Sequence, residues 1–494
     1  MCMDNIRERA HVFLMCVCFV AGVLLLCGVG CSQPPARASW VQQQLIEDNL
    51  TMYRRDPHAL AGKFRKMKTN IYNYFRGTVR LYLRDLMRTH TLAVPTKFGT
   101  AKSAYVACVI DPHPENIGTY RNQKGELLID FNDFDGATYA PYYFDVRRLT
   151  VGFATQAIRA NIHSTAPQEY DRLLKRVSEG YTDAIRQQLD KKPLRIRPKK
   201  GFGIILDDLF KRAREQGAEG RKLNEYTNVQ SGQRVMFYGV LEPSEIEGVI
   251  RDELKPPTDE ESAMIKRLVR SYAPTRLQKV PLTQLQVKGI SRRYGAGVSS
   301  YPRLRYYVLV EGPTSSVDDD WLLEFKEITD IPELPGFQRF PKHRFEHNAQ
   351  RVVMLQRQLQ ESDTNDVHLG WASDAPMVFR VRHRVGYQKN YSTDRFLEKY
   401  ADGKWSVRDL GDFAYHAGRL LARSHARAEL LVGGKGLSVI AEAIGQRHAE
   451  FVEETFRFAK QYAAQQSKDF ASFGETLETE GQWLGFRFPS LRWY

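Results

Sequence analysis

The amino-acid sequence predicts an α+β protein in which a β-rich segment lies between two helical ones. Apolar residues recur every three or four positions in 39–92 and 144–190, the period of an amphipathic helix. From 287 onward, short apolar runs bounded by polar turns replace that pattern, as in strands. With 42% hydrophobic and 26% charged residues among 494, the composition excludes a mainly disordered or fibrous protein.

The N-terminus has the pattern of an export signal. An apolar run from Phe13 to Gly30 follows Arg7 and Arg9 and ends directly before Cys31. A charged region, an apolar core and small residues before a cysteine resemble a bacterial lipoprotein signal, which implies lipidation of Cys31. The alternative is an uncleaved anchor, since the run is just long enough to span a bilayer. Both place the body at the cell envelope, facing the periplasm or the exterior.

Cysteine and charge counts restrict the redox chemistry and the ligands. Four of the six cysteines precede Cys31, so the mature body keeps only Cys108 besides it and has no internal disulfide framework. Lys and Arg number 72 against 58 Asp and Glu, and this excess favours anionic partners. No block of five consecutive basic residues occurs, and we expect a nucleotide or a phosphorylated small molecule, not nucleic acid.

Periodicity and turn residues predict the order of elements along the chain. The predicted elements are a helix start at Asp56-Pro57, a strand 104–110, a hairpin turn at Lys124-Gly125 just before a strand 127–131, helices in 144–190, a mixed segment 205–280, a hairpin of strands 305–311 and 321–328, a helix 345–361, a strand 377–385, and helices 407–430 and 437–467.

The loop after the first of these strands carries the most informative chemistry. Asp111 and Asn116 have the D-x-x-x-x-N spacing of a kinase catalytic loop, and Asp130 follows at the end of the next predicted strand. Phosphoryl transfer needs a carboxylate to orient the attacking hydroxyl, and an amide and a carboxylate to hold Mg²⁺. We therefore predict Asp111 as the catalytic base and Asn116 and Asp130 as Mg²⁺ ligands. A non-kinase metal site from Asp111, His113, Asp130 and Asp133 is the alternative.

A second cluster lies about 200 residues further on. Gly295, Gly297 and Ser299 form a turn whose backbone N–H groups are predicted to cover phosphates, and Lys326 lies in the next hairpin's second strand. A lysine at that place pairs with phosphates in kinases. Glu327 and Glu346 are candidate partners for it.

These patterns resemble the aminoglycoside- and choline-kinase-like branch of the kinase superfamily. Ile110 replaces the glycine that precedes the catalytic aspartate there, and Val109 replaces the histidine. The run from Gly418 to Arg427 resembles the helix that precedes the loop in those kinases, but here it follows the loop by about 300 residues. The resemblance implies a two-lobe kinase-like architecture in circularly permuted order, with helical N- and C-terminal segments.

The whole arrangement also resembles the bacterial domain of unknown function 2252 (DUF2252) over residues 50–430. The matching motifs are Lys66-Met67, Phe75-Arg76-Gly77, Asp111 to Gly118, Asp130 to Asp135, Asp145-Val146-Arg147-Arg148-Leu149, Lys326-Glu327, Arg351 to Arg357 and Leu421 to Arg427. The implied segments are a signal (1–30), a tether with N-terminal helices (31–95), a catalytic-loop-like segment (96–190), a basic linker or insertion (191–280), a nucleotide-lobe-like β segment with a helix (281–395) and C-terminal helices (396–494).

Three functions remain open from the sequence, and the third is a structural lipoprotein with no affinity for nucleotides. The first is a kinase-like phosphotransferase that uses ATP and Mg²⁺ on a small molecule or envelope component. The second is a catalytically degenerate binding lipoprotein that holds a phosphorylated or nucleotide ligand. Arg76, Arg148 and Arg357 are expected to pair internally with carboxylates; the alternative is that they bind an anionic substrate.

Overall fold

The computed structural model describes most of the chain between residues 36 and 487. The described residues are 36–87, 96–99, 105–122, 124–190, 196, 201–215, 221–242, 252–277, 285–329, 344–360, 366–430, 433–479, 482–483 and 486–487. The predicted signal, Cys31 and most of the basic stretch 191–204 lie outside them. Within the described part of the chain, no helix combines the length and the apolar character that crossing a membrane requires.

Groups of helices alternate with groups of strands along the chain, which confirms the predicted α+β class. The helices are α1 (Arg37–Arg55), α2 (Pro57–Lys68), α3 (Ile71–Gly77), α4 (Val79–Met87), α5 (Tyr142–Arg159), α6 (Ile162–Thr165), α7 (Pro167–Leu189), α8 (Ile204–Glu215), α9 (Arg221–Tyr226), α10 (Asp259–Tyr272), α11 (Asn348–Leu359), α12 (Thr393–Ala401), α13 (Val407–Arg427), α14 (Gly436–Ile444) and α15 (His448–Thr479).

The described strands form one large, seven-stranded sheet and four two-stranded sheets. They are β1 (Tyr105–Cys108), β2 (Ile117–Arg121), β3 (Leu127–Phe131), β4 (Thr138–Pro141), β5 (Thr227–Gln230), β6 (Gln233–Met236), β7 (Gly239–Glu242), β8 (Asp252–Lys255), β9 (Val287–Tyr294), β10 (Arg305–Val310), β11 (Trp321–Glu327), β12 (Gly370–Asp374), β13 (Met377–His383), β14 (Gln482–Trp483) and β15 (Phe486–Arg487). The large sheet has the antiparallel order β12-β13-β11-β10-β9-β8-β7.

The two faces of the large sheet differ in chemistry because side chains alternate along each strand. One face packs against α10 through an apolar core that includes Ile265, Val308 and Phe325. The other face carries Arg305, Lys326 and their neighbours at one end. This charged face borders the cleft described below.

The rest of the chain forms a helical body around a larger apolar core. Its central contact is between α7 and α13, where glycines permit a close approach. A Cβ atom at Gly180 would lie 1.9 Å from the Tyr415 carbonyl oxygen, and one at Gly418 would lie 1.9 Å from that of Val177. Alanine at either position would therefore force the two helices apart.

Several sequence-predicted bounds hold, and two need correction. Strand 127–131 has the predicted bounds, and Asp56 caps α2 by accepting a hydrogen bond from the Ala59 N–H. The predicted helix 437–467 is instead two helices that break at Gly445, where φ is +53°. The segment 205–280 contributes β7 and β8 to the large sheet.

Candidate functional site

A cleft of about 1110 Å³ lies between the charged face of the large sheet and the loops around β1–β4. It brings together the two predicted clusters, which lie about 200 positions apart in the chain. Of the sequence-predicted site residues, those that line it are Asp111, Asn116, Gly295, Gly297, Ser299 and Lys326. The two predicted clusters therefore converge on one cavity.

The loop that leaves β1 is held in a strained conformation by a buried network. Ile110 has a φ of +73°, in the left-handed region that favours glycine and costs other residues about 1–2 kcal/mol. The Asp145 carboxylate accepts hydrogen bonds from the N–H groups of Val109 (2.6 Å) and Ile110 (2.8 Å). His425 Nε2 lies 3.0 Å from the same carboxylate, and its Nδ1 lies 2.9 Å from the Tyr181 hydroxyl. This network fixes the backbone that presents Asp111.

Asp111 presents one carboxylate oxygen to the cleft. Arg148, which is fully buried, donates to the Asp111 Oδ1 from Nε (3.0 Å) and Nη2 (2.8 Å). Oδ2 makes no hydrogen bond with the described residues, and the side chain is 22% exposed. Burial raises the pKa of Asp111 above its usual range, although Arg148 opposes that shift. A carboxylate with a raised pKa and an open oxygen is suited to accept a proton.

Asn116 is fixed by the same loop. Its Nδ2 donates to the Asp111 carbonyl oxygen at 2.7 Å, and no described residue donates to its Oδ1. The side chain lines the cleft, so Oδ1 is available to a cation.

Asp130 lies behind the cleft wall. Its carboxylate is fully buried, accepts a hydrogen bond from the Phe131 N–H and lies 2.5 Å from Arg423 of α13. Asp130 is not among the cleft-lining residues. Its position at the strand end matches the sequence prediction, but its side chain points to the helical body.

Asp133 and Asp135 occupy the cleft position that the sequence assigned to Asp130. The Lys326 amine lies 2.5 Å from Asp135 and 3.4 Å from Asp133, and Arg380 lies 3.4 Å from Asp135. Burial alone would raise the pKa of Asp133, but Lys326 and Arg380 outweigh it and hold that pKa well below its usual range. Burial lowers the pKa of Lys326, against the pull of both aspartates. Asp133 thus stays ionised, as a ligand of a divalent cation must.

The glycine turn is held from α2. Gly295 and Gly297 have φ values of +80° and +83°, which only glycine adopts readily. Lys66 donates to their carbonyl oxygens at 2.5 and 3.2 Å. The Lys66-Met67 motif thereby gains a structural role, because it ties the N-terminal helices to the turn.

The remaining candidates pair internally. Arg76 lies 2.6 Å from Glu115, and Arg357 donates to the carbonyl oxygens of Thr275 and Leu369. With Arg148 on Asp111, internal pairing with a carboxylate is confirmed for Arg76 and Arg148, whereas Arg357 is held by backbone carbonyl oxygens instead. The other candidates are placed as follows: Glu327 accepts from Arg55 and the Leu304 N–H, the Glu346 N–H donates to Gln350, and His113 lies 3.4 Å from the Tyr72 hydroxyl.

Basic side chains dominate the cleft. Thirteen lysines and arginines line it against eight aspartates and glutamates, so an anionic ligand is favoured there. Sequence reasoning missed much of this charge. Arg380, Arg382 and Arg384 alternate in a predicted strand, and that period places all three on one face. It considered Asp133 only for the alternative metal site and assigned no role to Asp135, although the run D-F-N-D-F-D contains both.

Comparisons with known proteins identify a family and nothing finer. Residues 55–476 match the model of the family described as "Uncharacterized protein conserved in bacteria (DUF2252)". Since the match covers most of the chain, the chain belongs to this family. Neither the curated proteins nor the solved structures gave a match.

Proposed function

We propose that this member of the DUF2252 family is a phosphotransferase that binds a nucleoside triphosphate with Mg²⁺ in its central cleft. A circularly permuted kinase-like arrangement is part of the proposal: the loop 109–116 supplies the catalytic half, and the segment 287–327 supplies the nucleotide half. One observation carries it. The Lys326 amine meets Asp133 and Asp135 in a cleft that Asp111, Asn116 and the glycine turn also line.

The donor set in the cleft fits a magnesium–triphosphate group. Mg²⁺ prefers carboxylate and amide oxygens, which Asp133, Asp135 and Asn116 Oδ1 supply. The proposal therefore transfers the metal role from Asp130, whose carboxylate is engaged with Arg423, to Asp133 and Asp135. The bound cation would neutralise charge on the phosphates and release Lys326 from its aspartates to pair with them.

Asp111 would act on the attacking hydroxyl. Its open Oδ2 accepts the proton of an acceptor hydroxyl, while the acceptor oxygen bonds to the terminal phosphorus and the nucleoside diphosphate leaves. Arg148 holds Oδ1 and fixes the direction of the carboxylate. Lys66 and the glycines keep the turn over the phosphates.

A binding module is the second candidate, and Ile110 is the observation that favours it. A β-branched residue in a left-handed conformation beside the base departs from the pattern of active kinases. ATP is also scarce at the envelope, where the proposed lipid anchor at Cys31 would place the protein. The two candidates share the ligand and differ in turnover.

Thermal denaturation with and without nucleotide tests the shared part. At about 100 times its Kd, a nucleotide stabilises the protein by about 2.7 kcal/mol. We expect this stabilisation from ATP with Mg²⁺ and a much smaller one from ATP with EDTA. Equal melting temperatures in all conditions would remove both candidates, and ADP release above the uncatalysed rate would select the enzyme.

The anchor is tested separately. Cys31→Ser should release the protein from membranes or leave it unprocessed. An intact mass that shows an unmodified N-terminus elsewhere would contradict the lipid at Cys31.

A further inference from the structure

The cleft face of β13 carries three arginines in register with β11. Arg380 is the strand partner of Lys326, Arg382 is the partner of Glu324, and Arg384 follows two residues later. At about 3.3 Å per residue, the Arg384 backbone lies roughly 13 Å along the sheet from that of Arg380. Arg384 therefore belongs to a different part of the cleft from the lysine.

Few hydrogen bonds join the guanidinium groups at that end to acids among the described residues. Asp366 adds negative charge near Arg382, and Glu324, which is 1% exposed, pairs with both Arg382 and Arg384. Arg382 donates to it only through Nε, at 3.1 Å. Arg384 lies 3.8 Å from it, and its side chain makes no hydrogen bond with the described residues. The terminal amino groups of both arginines make no hydrogen bond with the part of the chain that the structure describes, and both side chains line the cleft.

Further cations surround these two arginines. Arg293, held by Asp252, and Lys222, held by Glu225, line the main cleft together with Lys389. Burial and the nearby charge of Lys222 lower the pKa of Lys389 to about 8. Such mutual repulsion is relieved when an anion binds.

A second cavity adjoins this end and gives room for a ligand. Its volume is about 650 Å³, and it shares Lys222, Asp252, Arg293 and Arg384 with the main cleft. The wall beyond them includes the aromatic rings of Tyr226 and Phe237. The arginines therefore lie where the two cavities meet.

We propose that Arg382 and Arg384, with Arg293, Lys222 and Lys389, form a second anion-binding subsite that takes a phosphate group of the acceptor. The acceptor of the phosphoryl group would thus already carry a phosphate. Guanidinium groups suit this ligand because they donate in a planar fork. The assignment to the acceptor rests on the proposed function, whereas the anion site itself stands on the arginines.

Calorimetric titration of the full chain with pyrophosphate in EDTA tests the subsite without nucleotide or metal. The double variant Arg382→Gln/Arg384→Gln should bind about tenfold more weakly or worse, because charge-assisted hydrogen bonds are lost. Arg267→Gln/Arg270→Gln removes the same charge from α10, behind the sheet, and should leave affinity unchanged. Arg384→Gln alone breaks no hydrogen bond, so it reports on the site even if the double variant misfolds.

The variant Lys326→Met tests whether pyrophosphate binds at the arginine end or at the lysine end of the cleft. We expect its pyrophosphate affinity to fall less than that of the arginine variants, since the subsite lies apart from Lys326. Loss of binding in Lys326→Met but not in the arginine variants would overturn the subsite, as would absence of pyrophosphate binding. Malonate that binds more tightly than pyrophosphate would overturn the phosphate assignment. If pyrophosphate binds as expected but Mg-ATP does not, the proposed function fails and the anion site stands.

Discussion

The aspartates between positions 111 and 145 form two groups whose side chains have different surroundings. The inward aspartates, Asp130 and Asp145, are fully buried and contact α13 through Arg423 and His425. The cleft aspartates, Asp111, Asp133 and Asp135, line the central cavity. The inward pair ties the loop to the helical body, and the cleft group keeps oxygens that a ligand or cation can reach.

Within the run 130–135, the position of an aspartate relative to the end of β3 decides whether its side chain reaches the cleft. Asp130 lies within β3, where its carboxylate is fully buried 2.5 Å from Arg423 of α13 and does not line the cleft. Asp133 and Asp135 follow the end of the strand, where the chain turns toward Lys326. The run D-F-N-D-F-D thus contains one buried structural aspartate and two aspartates that line the cleft.

The largest expected effect comes from removing a cleft aspartate that acts in the transition state. If the protein is an enzyme, Asp111→Asn should reduce turnover by roughly 10²–10⁴-fold, the usual contribution of a positioned base. Affinity for Mg-ATP should change little, because a base acts mainly after binding. Steady-state ADP release and calorimetry measure the two quantities. A variant with normal turnover would exclude Asp111 as the base.

Removing an inward aspartate should affect stability instead. Asp130→Asn leaves Arg423 without its buried carboxylate, and breaking such a pair costs about 3–5 kcal/mol. Urea denaturation should show this loss equally with and without Mg²⁺. Asp133→Asn is the matched control, with an expected cost of about 1 kcal/mol or less because the side chain is 39% exposed. If Asp130→Asn weakened Mg-ATP binding and left stability intact, Asp130 would be a ligand-binding residue and not a structural one, which contradicts the comparison.

The smallest expected effect isolates the backbone strain that Asp145 holds. Glycine in place of alanine usually destabilises a fold, but a φ of +73° at residue 110 reverses the order. Both Ile110→Ala and Ile110→Gly lose the buried side chain, so their difference reports the strain alone. We expect Ile110→Gly to be more stable than Ile110→Ala by about 1 kcal/mol. Urea midpoints with the usual order, alanine above glycine, would contradict a strained loop.

Much of the fold followed from periodicity. Strand 127–131, the hairpin of β10 and β11 and helix α13 were predictable, because alternation and helical spacing are local properties. The strands β5–β8 were not, since their short, polar segments gain stability only through pairing with neighbours. The break at Gly445 was missed because one glycine is tolerated in many helices.

The sequence predicted which residues belong to the candidate site better than it predicted where their side chains point. Asp111, Asn116, Lys326 and the glycine turn were identified by spacing, and the cavity brings them together. Which aspartate faces the cleft depends on long-range contacts with Arg423 and Lys326, which no local pattern encodes. The role of Lys66 also depends on a contact more than 200 residues away.

Calorimetry of ATP binding with and without Mg²⁺ tests the central assignment most directly. In the wild type, Mg²⁺ should increase the affinity for ATP. In Asp133→Asn/Asp135→Asn this increment should vanish, while ATP alone binds at least as tightly because Lys326 is freed from both carboxylates. Asp130→Asn should keep the increment. An equal Mg²⁺ increment in the wild type and the double variant would contradict the cleft aspartates as the metal site.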